Sequence, residues 1–491
     1  MSGENGGTPP AQVYHMGLDT LRVDRRDLHR KIRAKVEAAV KKAVPEEERG
    51  LILLKGGEGK PYYDTDNEPL FRQESYFFHL FGVVESGWYG AMDLGEGTTI
   101  LFIPRLPESH AVWMGALKEP EEYIAQLGVD EVYYVDELVE WLQWIAPKCL
   151  HVMEGTNSDS GNAYAPLTFD GIDNFVLEKT TLFPILCESR VIKLPEEQAI
   201  MRYANVIGSQ AHVAMMHACQ PGMMEYQLEA TYLHHCEFHG GCRTEAYTCI
   251  AASGPNGAVL HYGHEGAPND RLISDGDMVL ADMGCKYYGY DSDITTTFPV
   301  NGKFTPDQRL VYESVLDASE SVKAAMKPGV SWLDMHKLAE RRILEGLKKG
   351  GLLTGDVDEM LDAFVGGVFM PHGLGHFLGL DTHDVGGYLG RPPRVDEPGR
   401  KSLRTCCVLE EGMVITVEPG CYFNPFLITG GLKNPAIKGF FVKDRIKHFE
   451  GFGGVRIEDN VIVTSDGIDC MTNVPRTVED VEKVMAGGSW P

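Results

Sequence analysis

Residues 280–299, LADMGCKYYGYDSDITTTFP, read as a strand, a turn and a second strand. Apolar and β-branched residues mark both arms. Each arm carries an aspartate, Asp282 and Asp293, among neighbours that imply burial. With the turn at Tyr287-Tyr288, the two aspartates face each other across an antiparallel pair, their Cβ atoms roughly 4.5–5.5 Å apart. A bare buried carboxylate costs on the order of several kcal/mol, and two opposed ones also repel. The pair therefore calls for a proton, a basic side chain or a cation. The alternative is a different register, with both acids in solvent.

The segments downstream narrow that choice. GMVITVEPGCYF carries Glu418 in an apolar, β-branched run, and GGVRIEDNVIVT does the same with Glu458. Arg456 shares the face of Glu458 at i−2, and a simple Arg456–Glu458 pair is one reading of it. FMPHGLGHFLGLDTHDVGG supplies His372, His376 and His383. No Glu follows His372, and Gly373 and Gly375 weaken a helix there, so this is not an HExxH zinc helix. It reads as a bent strand or loop carrying histidines into a cleft, with His372 as a shaper of that loop. His212 and His217, on a predicted amphipathic helix, read as core or surface residues. Four carboxylates and one or two imidazoles make an oxygen-rich, fairly hard ligand set. Such a set favours Mn²⁺, with Zn²⁺, Co²⁺ or Fe²⁺ also compatible. Four acids exceed the needs of one catalytic ion and suit two ions about 3.5–4 Å apart.

The same region reads as a duplicated αα-then-β unit. Leu194-Pro195-Glu196-Glu197 opens one helix and Pro221-Gly222 stops it; Thr305, as N-cap with Pro306 at N1 and Gln308 closing a capping box, opens another that stops at Pro328-Gly329. The two stops are offset by 107 residues, and each is followed by a second amphipathic segment and then strands. Two half-domains are thus expected to merge their strands into one curved antiparallel sheet covered by helices. Residues 1–189 form a separate N-terminal α/β domain with a mixed sheet, and residues 190–491 the C-terminal domain. Residues 1 to about 20 read as disordered.

The 491 residues carry 45 Lys+Arg against 71 Asp+Glu, a net charge of −26. So acidic a chain is unsuited to general nucleic-acid binding or to an anionic membrane surface. No run of eighteen apolar residues predicts a transmembrane helix, and the N-terminus lacks the pattern of a secretory signal. The 11 Cys are scattered without a CxxC pair, as expected of reduced, mostly buried thiols in a cytoplasmic protein.

VLHYGH, ADMG followed after a gap by SDIT, MPHGLGHFLG, TVEPG and GGVRIED together resemble the metallopeptidases of the pita-bread (creatinase/aminopeptidase) fold. Within them the resemblance is to the long eukaryotic-type Xaa-Pro dipeptidases, and it extends to LFRQESYFFHLFGV and HAVWMG in the N-terminal domain. It implies an α/β (α+β) protein with a C-terminal pita-bread catalytic domain. It also implies two Mn²⁺ ions held by Asp282, Asp293, His376, Glu418 and Glu458, with Glu418 shuttling a proton to the leaving amine. His261 and His383 would hold the scissile carbonyl and its oxyanion, and Arg404 the free carboxylate of a dipeptide. Tyr247 and Arg456 would line the pocket. A homodimer is implied, in which Trp113 reaches the partner's active site. The residues between CYFNPF and FEGFGG form an insertion relative to shorter relatives. Two other readings stand beside this one: an aminopeptidase P-like enzyme acting on longer Xaa-Pro peptides, and a metal-free binding module on the same scaffold.

Overall fold

Helix Arg25–Ala43 shows how the N-terminal part of the chain is organised. Asp24 caps it, accepting from the Asp27 N–H at 3.1 Å, and Leu28, Ile32, Val36 and Val40, four residues apart, bury one stripe. A computed structural model describes residues 13–491, which divide into two compact units, one ending at Arg190 and the other running from Val191 to Pro491. In the first, six strands form a mixed sheet in the order Leu177–Glu178, Leu150–His151, Leu51–Lys55, Tyr89–Asp93, Thr99–Ile103, Glu131–Tyr134. Its two hairpin contacts are antiparallel and the outer pairings parallel. Leu53, Ala91, Phe102, Trp141 and Leu142 are in its core. The expected disorder up to about residue 20 does not extend over residues 13 and 14, which pair with Val23–Asp24; residues 1–12 lie outside the described residues.

The second unit holds the helix pairs. Helix Pro195–Ala218 starts where Glu197 accepts from the Leu194 N–H at 2.8 Å, and it packs on Glu225–Gly240. Helix Pro306–Ala325 starts with a reciprocal capping box: Gln308 N–H to Thr305 Oγ1 at 3.3 Å, and Thr305 N–H to Gln308 Oε1 at 2.9 Å. It packs on Trp332–Lys349. Each helix pair is followed by antiparallel strands. The single sheet expected is realised as short ladders joined by isolated bridges. One ladder is Ile250–Ser253, Met278–Met283, Ile294–Pro299; another is Val414–Val417, Asp459–Val463, Ile468–Cys470. The bridge Thr295–Glu458 joins the two halves.

The register of the opening hairpin differs from the sequence reading. Asp282 pairs with Thr295, not with Asp293. The turn is one residue later, at Tyr288-Gly289, with φ of 43° and 81°. A two-residue hairpin turn of this kind needs two positive φ values, and glycine supplies one at no steric cost. Tyr287 therefore stays in the ladder, paired with Tyr290. Continuing this register puts Asp293 opposite Gly284, in the gap between two ladders. A Cβ on Gly284 would stand 1.9 Å from the Ser292 carbonyl oxygen, so only glycine permits that approach. The insertion after Phe423 folds into the helices Pro425–Lys433 and Lys443–Lys447.

Candidate metal centre and substrate cleft

The acids singled out above stand mostly where ladders break. Asp293 precedes strand Ile294–Pro299, Glu418 lies between Val414–Val417 and Gly420–Tyr422, and Glu458 lies between Gly454–Arg456 and Asp459–Val463. The pairs Val417–Asp459 and Gly420–Arg456 keep one register, which puts Glu418 opposite Glu458. Pro419 has no N–H, which suits an interruption of the ladder. The break turns these carboxylates inward and joins the two halves, with Glu458 N–H donating to Thr295 O at 3.2 Å.

Asp293, His376 and Glu458, all buried, bring one ligand atom each to within 4.8 Å of one another. His376 Nε2 lies 3.3 Å from Asp293 and 3.6 Å from Glu418 Oε1. Asp282 sits beside them but is engaged otherwise: Arg456 donates to its Oδ2 at 2.5 Å, and the Tyr247 hydroxyl lies 2.5 Å from its Oδ1 and equally 2.5 Å from Asp293 Oδ1. The alternative reading of Arg456 as a simple partner of Glu458 does not describe its side-chain bonds. Arg456 bonds Asp282, the Tyr422 hydroxyl at 2.8 Å and Thr295 Oγ1 at 3.1 Å. Alternation in a strand places residues on a face, but it does not select a partner across the sheet.

Comparison with other buried acids of this unit shows why a cation fits. Lys193 pairs Asp384 at 2.8 Å, Lys323 and Arg476 pair Asp459 at 2.6 and 2.7 Å, and Arg400 pairs Glu340 at 2.8 Å. Those cations hold the Asp459 carboxyl below its usual range despite its burial. Glu458, next in sequence, has the Thr295 hydroxyl as its hydrogen-bond partner at 2.7 Å, and burial plus the Asp293, Glu418 and Asp282 charges push it well up. Burial also raises Asp282, against the opposing pull of Arg456. Burial drives Glu418 to about 7, opposed by His376 and Arg456. For His376, burial works against protonation, but the Asp293 bond and the Glu418 and Asp293 charges outweigh it and raise the imidazole. A cluster in which Asp282, Glu418, Glu458 and His376 are all driven toward their protonated forms is chemically suited to divalent cations, and carboxylates plus one imidazole are an acceptable donor set.

His261, His383 and Arg404 gather at the accessible side of the cluster. Both histidines are exposed and Arg404 is half-buried. The His383 ring meets that of His376 nearly edge-on, centroids 4.6 Å apart. Loss of solvation, then His376 and Arg404, holds His383 down at about 2; loss of solvation, then Arg404 and Arg456, lowers His261. Both rings are therefore neutral near pH 7, each with one N–H to donate. Trp113 lies in the other unit, 84% exposed on the short helix Ala111–Met114.

Four supporting residues were not anticipated. Asn460 accepts from the Asp293 N–H at 2.8 Å and donates to its carbonyl; its place as an Asn inside a β-branched run is the one signal by which the sequence could have marked it. Thr416, at i−2 from Glu418, accepts from the His376 N–H at 3.1 Å. Tyr422 links Arg456 to His372, whose Nε2 is 3.0 Å from the Tyr422 hydroxyl. Thr295 ties Glu458 to Arg456.

This fold and centre define a class. Residues 199–465 match the model of metallopeptidase family M24, and residues 25–152 that of the aminopeptidase P N-terminal domain. The chain belongs to the M24 metallopeptidases. It is 52% identical over 437 residues to the Xaa-Pro dipeptidase of Homo sapiens, covering 89% of each chain. It is 36% identical to a probable Xaa-Pro aminopeptidase of Phaeosphaeria nodorum, over 90% of this chain and 93% of the relative. Zinc-substituted aminopeptidase P of Escherichia coli, solved in complex with product, superposes with a TM-score of 0.75 at 30% identity, covering 95% of this chain and 99% of that one.

Proposed function

We propose that the chain hydrolyses Xaa-Pro dipeptides bearing a free carboxylate and releases proline. The observation that carries this reading is the buried, cation-poor cluster drawn from both halves of the second unit, with two neutral histidines and an arginine on its accessible side. The 52% identity to an Xaa-Pro dipeptidase supports it. Asp293, His376 and Glu458 would hold divalent ions together with Asp282 and Glu418; two ions match the number of carboxylates, and Mn²⁺ matches their hardness. When bound, such ions polarise a carbonyl and lower the pKa of water.

The remaining work belongs to the side chains. An Xaa-Pro bond has no N–H, so the site must recognise it through the carbonyl and the ring. His261 and His383 donate to the carbonyl oxygen as it gains charge. Glu418 takes a proton from the attacking water and passes it to the proline nitrogen. Arg404 grips the terminal carboxylate, most tightly as a two-bond fork, which limits good substrates to dipeptides. Arg456 and Tyr247 orient Asp282, and Arg456 offsets the charge of the carboxylates when ions leave. Trp113, exposed on the N-terminal unit, would complete the cleft of a partner subunit in a homodimer. Among the described residues no helix is long and apolar enough to cross a membrane; with ten buried free thiols, this supports a cytoplasmic site of action.

Assays of Gly-Pro against Gly-Pro-Pro test the reading. Preference for the dipeptide is expected; preference for the tripeptide would favour the aminopeptidase P-like activity that other relatives suggest. Purified protein without transition metal, and inert to added Mn²⁺, would favour a metal-free binding module.

A further inference from the structure

Helix Glu225–Gly240 carries His234, His235 and His239, which have no part in the chemistry above. His235 and His239 are i,i+4 neighbours and share one helix face. Their ring centroids are 4.6 Å apart, at 45° to each other. His239 is exposed and half of a T-shaped contact with Phe238, centroids 4.9 Å apart, which limits its rotation. His235 is half-buried, and its Nε2 is a buried atom with no hydrogen-bond partner. An orphaned buried ring nitrogen is rare and calls for a ligand or an ordered water. Burial, then the neighbouring His239 and His234, lowers the His235 pKa, leaving a lone pair free at neutral pH. The pair sits in the last turns of the helix, where the backbone dipole favours positive charge. The turn below is anchored, since Tyr232 donates to the Met283 carbonyl at 3.1 Å and Cys236 is buried.

We propose that His235 and His239 form a two-imidazole chelate for a borderline divalent ion, of the Zn²⁺, Ni²⁺ or Cu²⁺ type, separate from the carboxylate centre. Two neutral imidazoles select these ions over Mg²⁺ or Mn²⁺, which prefer oxygen. Water completes the coordination, so the site loads and unloads with the free concentration of the ion. Its ligands are two imidazoles rather than carboxylates, which distinguishes it in affinity and in spectrum from the carboxylate centre.

The test titrates the full chain with Cu²⁺ and follows it by electron paramagnetic resonance, in which coupling to two nitrogens distinguishes the two-imidazole site from the carboxylate centre with its single imidazole, His376. One Cu²⁺ equivalent with coupling to two nitrogens is expected. His239→Ala and His235→Gln should each weaken that equivalent on the order of 10²-fold, because the second donor's effective concentration is lost. His217→Ala and His234→Ala should leave it intact, and the His239→Ala protein should retain its peptidase activity, which shows that it is folded. Equal Cu²⁺ binding by wild type and His239→Ala overturns the proposal, as does loss of the two-nitrogen signal in His217→Ala or His234→Ala.

Discussion

Arg456→Met removes the cation that the structure places on Asp282 while keeping most of the apolar stem. Arg456 is 4% exposed and makes three bonds, to Asp282 at 2.5 Å, Tyr422 at 2.8 Å and Thr295 at 3.1 Å. Deleting one partner of a buried ion pair costs about 3–5 kcal/mol, because the other charge is left behind. That cost should apply in full only when ions are absent. With divalent cations bound, Asp282 is compensated from the other side, and the loss should be smaller by the cost of its uncompensated charge, about 2–3 kcal/mol of the whole, leaving that of the bonds to Tyr422 and Thr295. The thermodynamic cycle then requires the variant to bind metal more tightly, by about 2–3 kcal/mol or roughly 30- to 150-fold. The assay is a metal titration of chelator-stripped protein by calorimetry, paired with thermal melts with and without the ion. Metal affinity unchanged or weakened, with the same loss of melting temperature in both states, would refute charge compensation as the role of Arg456.

Asp282→Asn should abolish Gly-Pro turnover and leave the circular dichroism spectrum intact; normal turnover would remove Asp282 from the centre. Arg404→Ala should lower kcat/KM for Gly-Pro by at least about 30-fold, the worth of one charge-assisted bond, and lower it far less for an amidated substrate; equal losses would exclude carboxylate recognition. His29, fully buried and bonded through Nδ1 to His79 O at 2.9 Å, is held at about 3 by burial. Its folded pKa lies below its unfolded value near 6.5, so its contribution is intact above pH 6.5 and is lost as pH falls from 6.5 toward 3. The loss reaches roughly 4–5 kcal/mol. Acid titration of stability for His29→Gln should be shallower in that window, and an identical slope would show that His29 is not the sensor.

Much of this architecture is written in short-range patterns. The capping box at Thr305 and Gln308, the proline at N1 and the repeated helix stops depend on residues three or four apart, and the local backbone obeys them. That each acid sits among apolar and β-branched neighbours was equally legible, but a period of two accounts only for Asp282 within its strand; Asp293, Glu418 and Glu458 stand at breaks between strands. The physics that remained hidden acts between segments distant in sequence. Tyr288-Gly289 rather than Tyr287-Tyr288 makes the turn, which slides Asp282 onto Thr295. Arg456 reaches across the sheet to Asp282 although Glu458 stands beside it in sequence. Asp459 finds Lys323 and Arg476 while adjacent Glu458 finds a hydroxyl. Sequence by itself determined which side chains are helical, strand-borne and acidic, since those properties are local. Only the tertiary structure decided which buried acids receive a cation from the chain and which are left to require one from solution, since that depends on what the completed fold brings within a few ångströms.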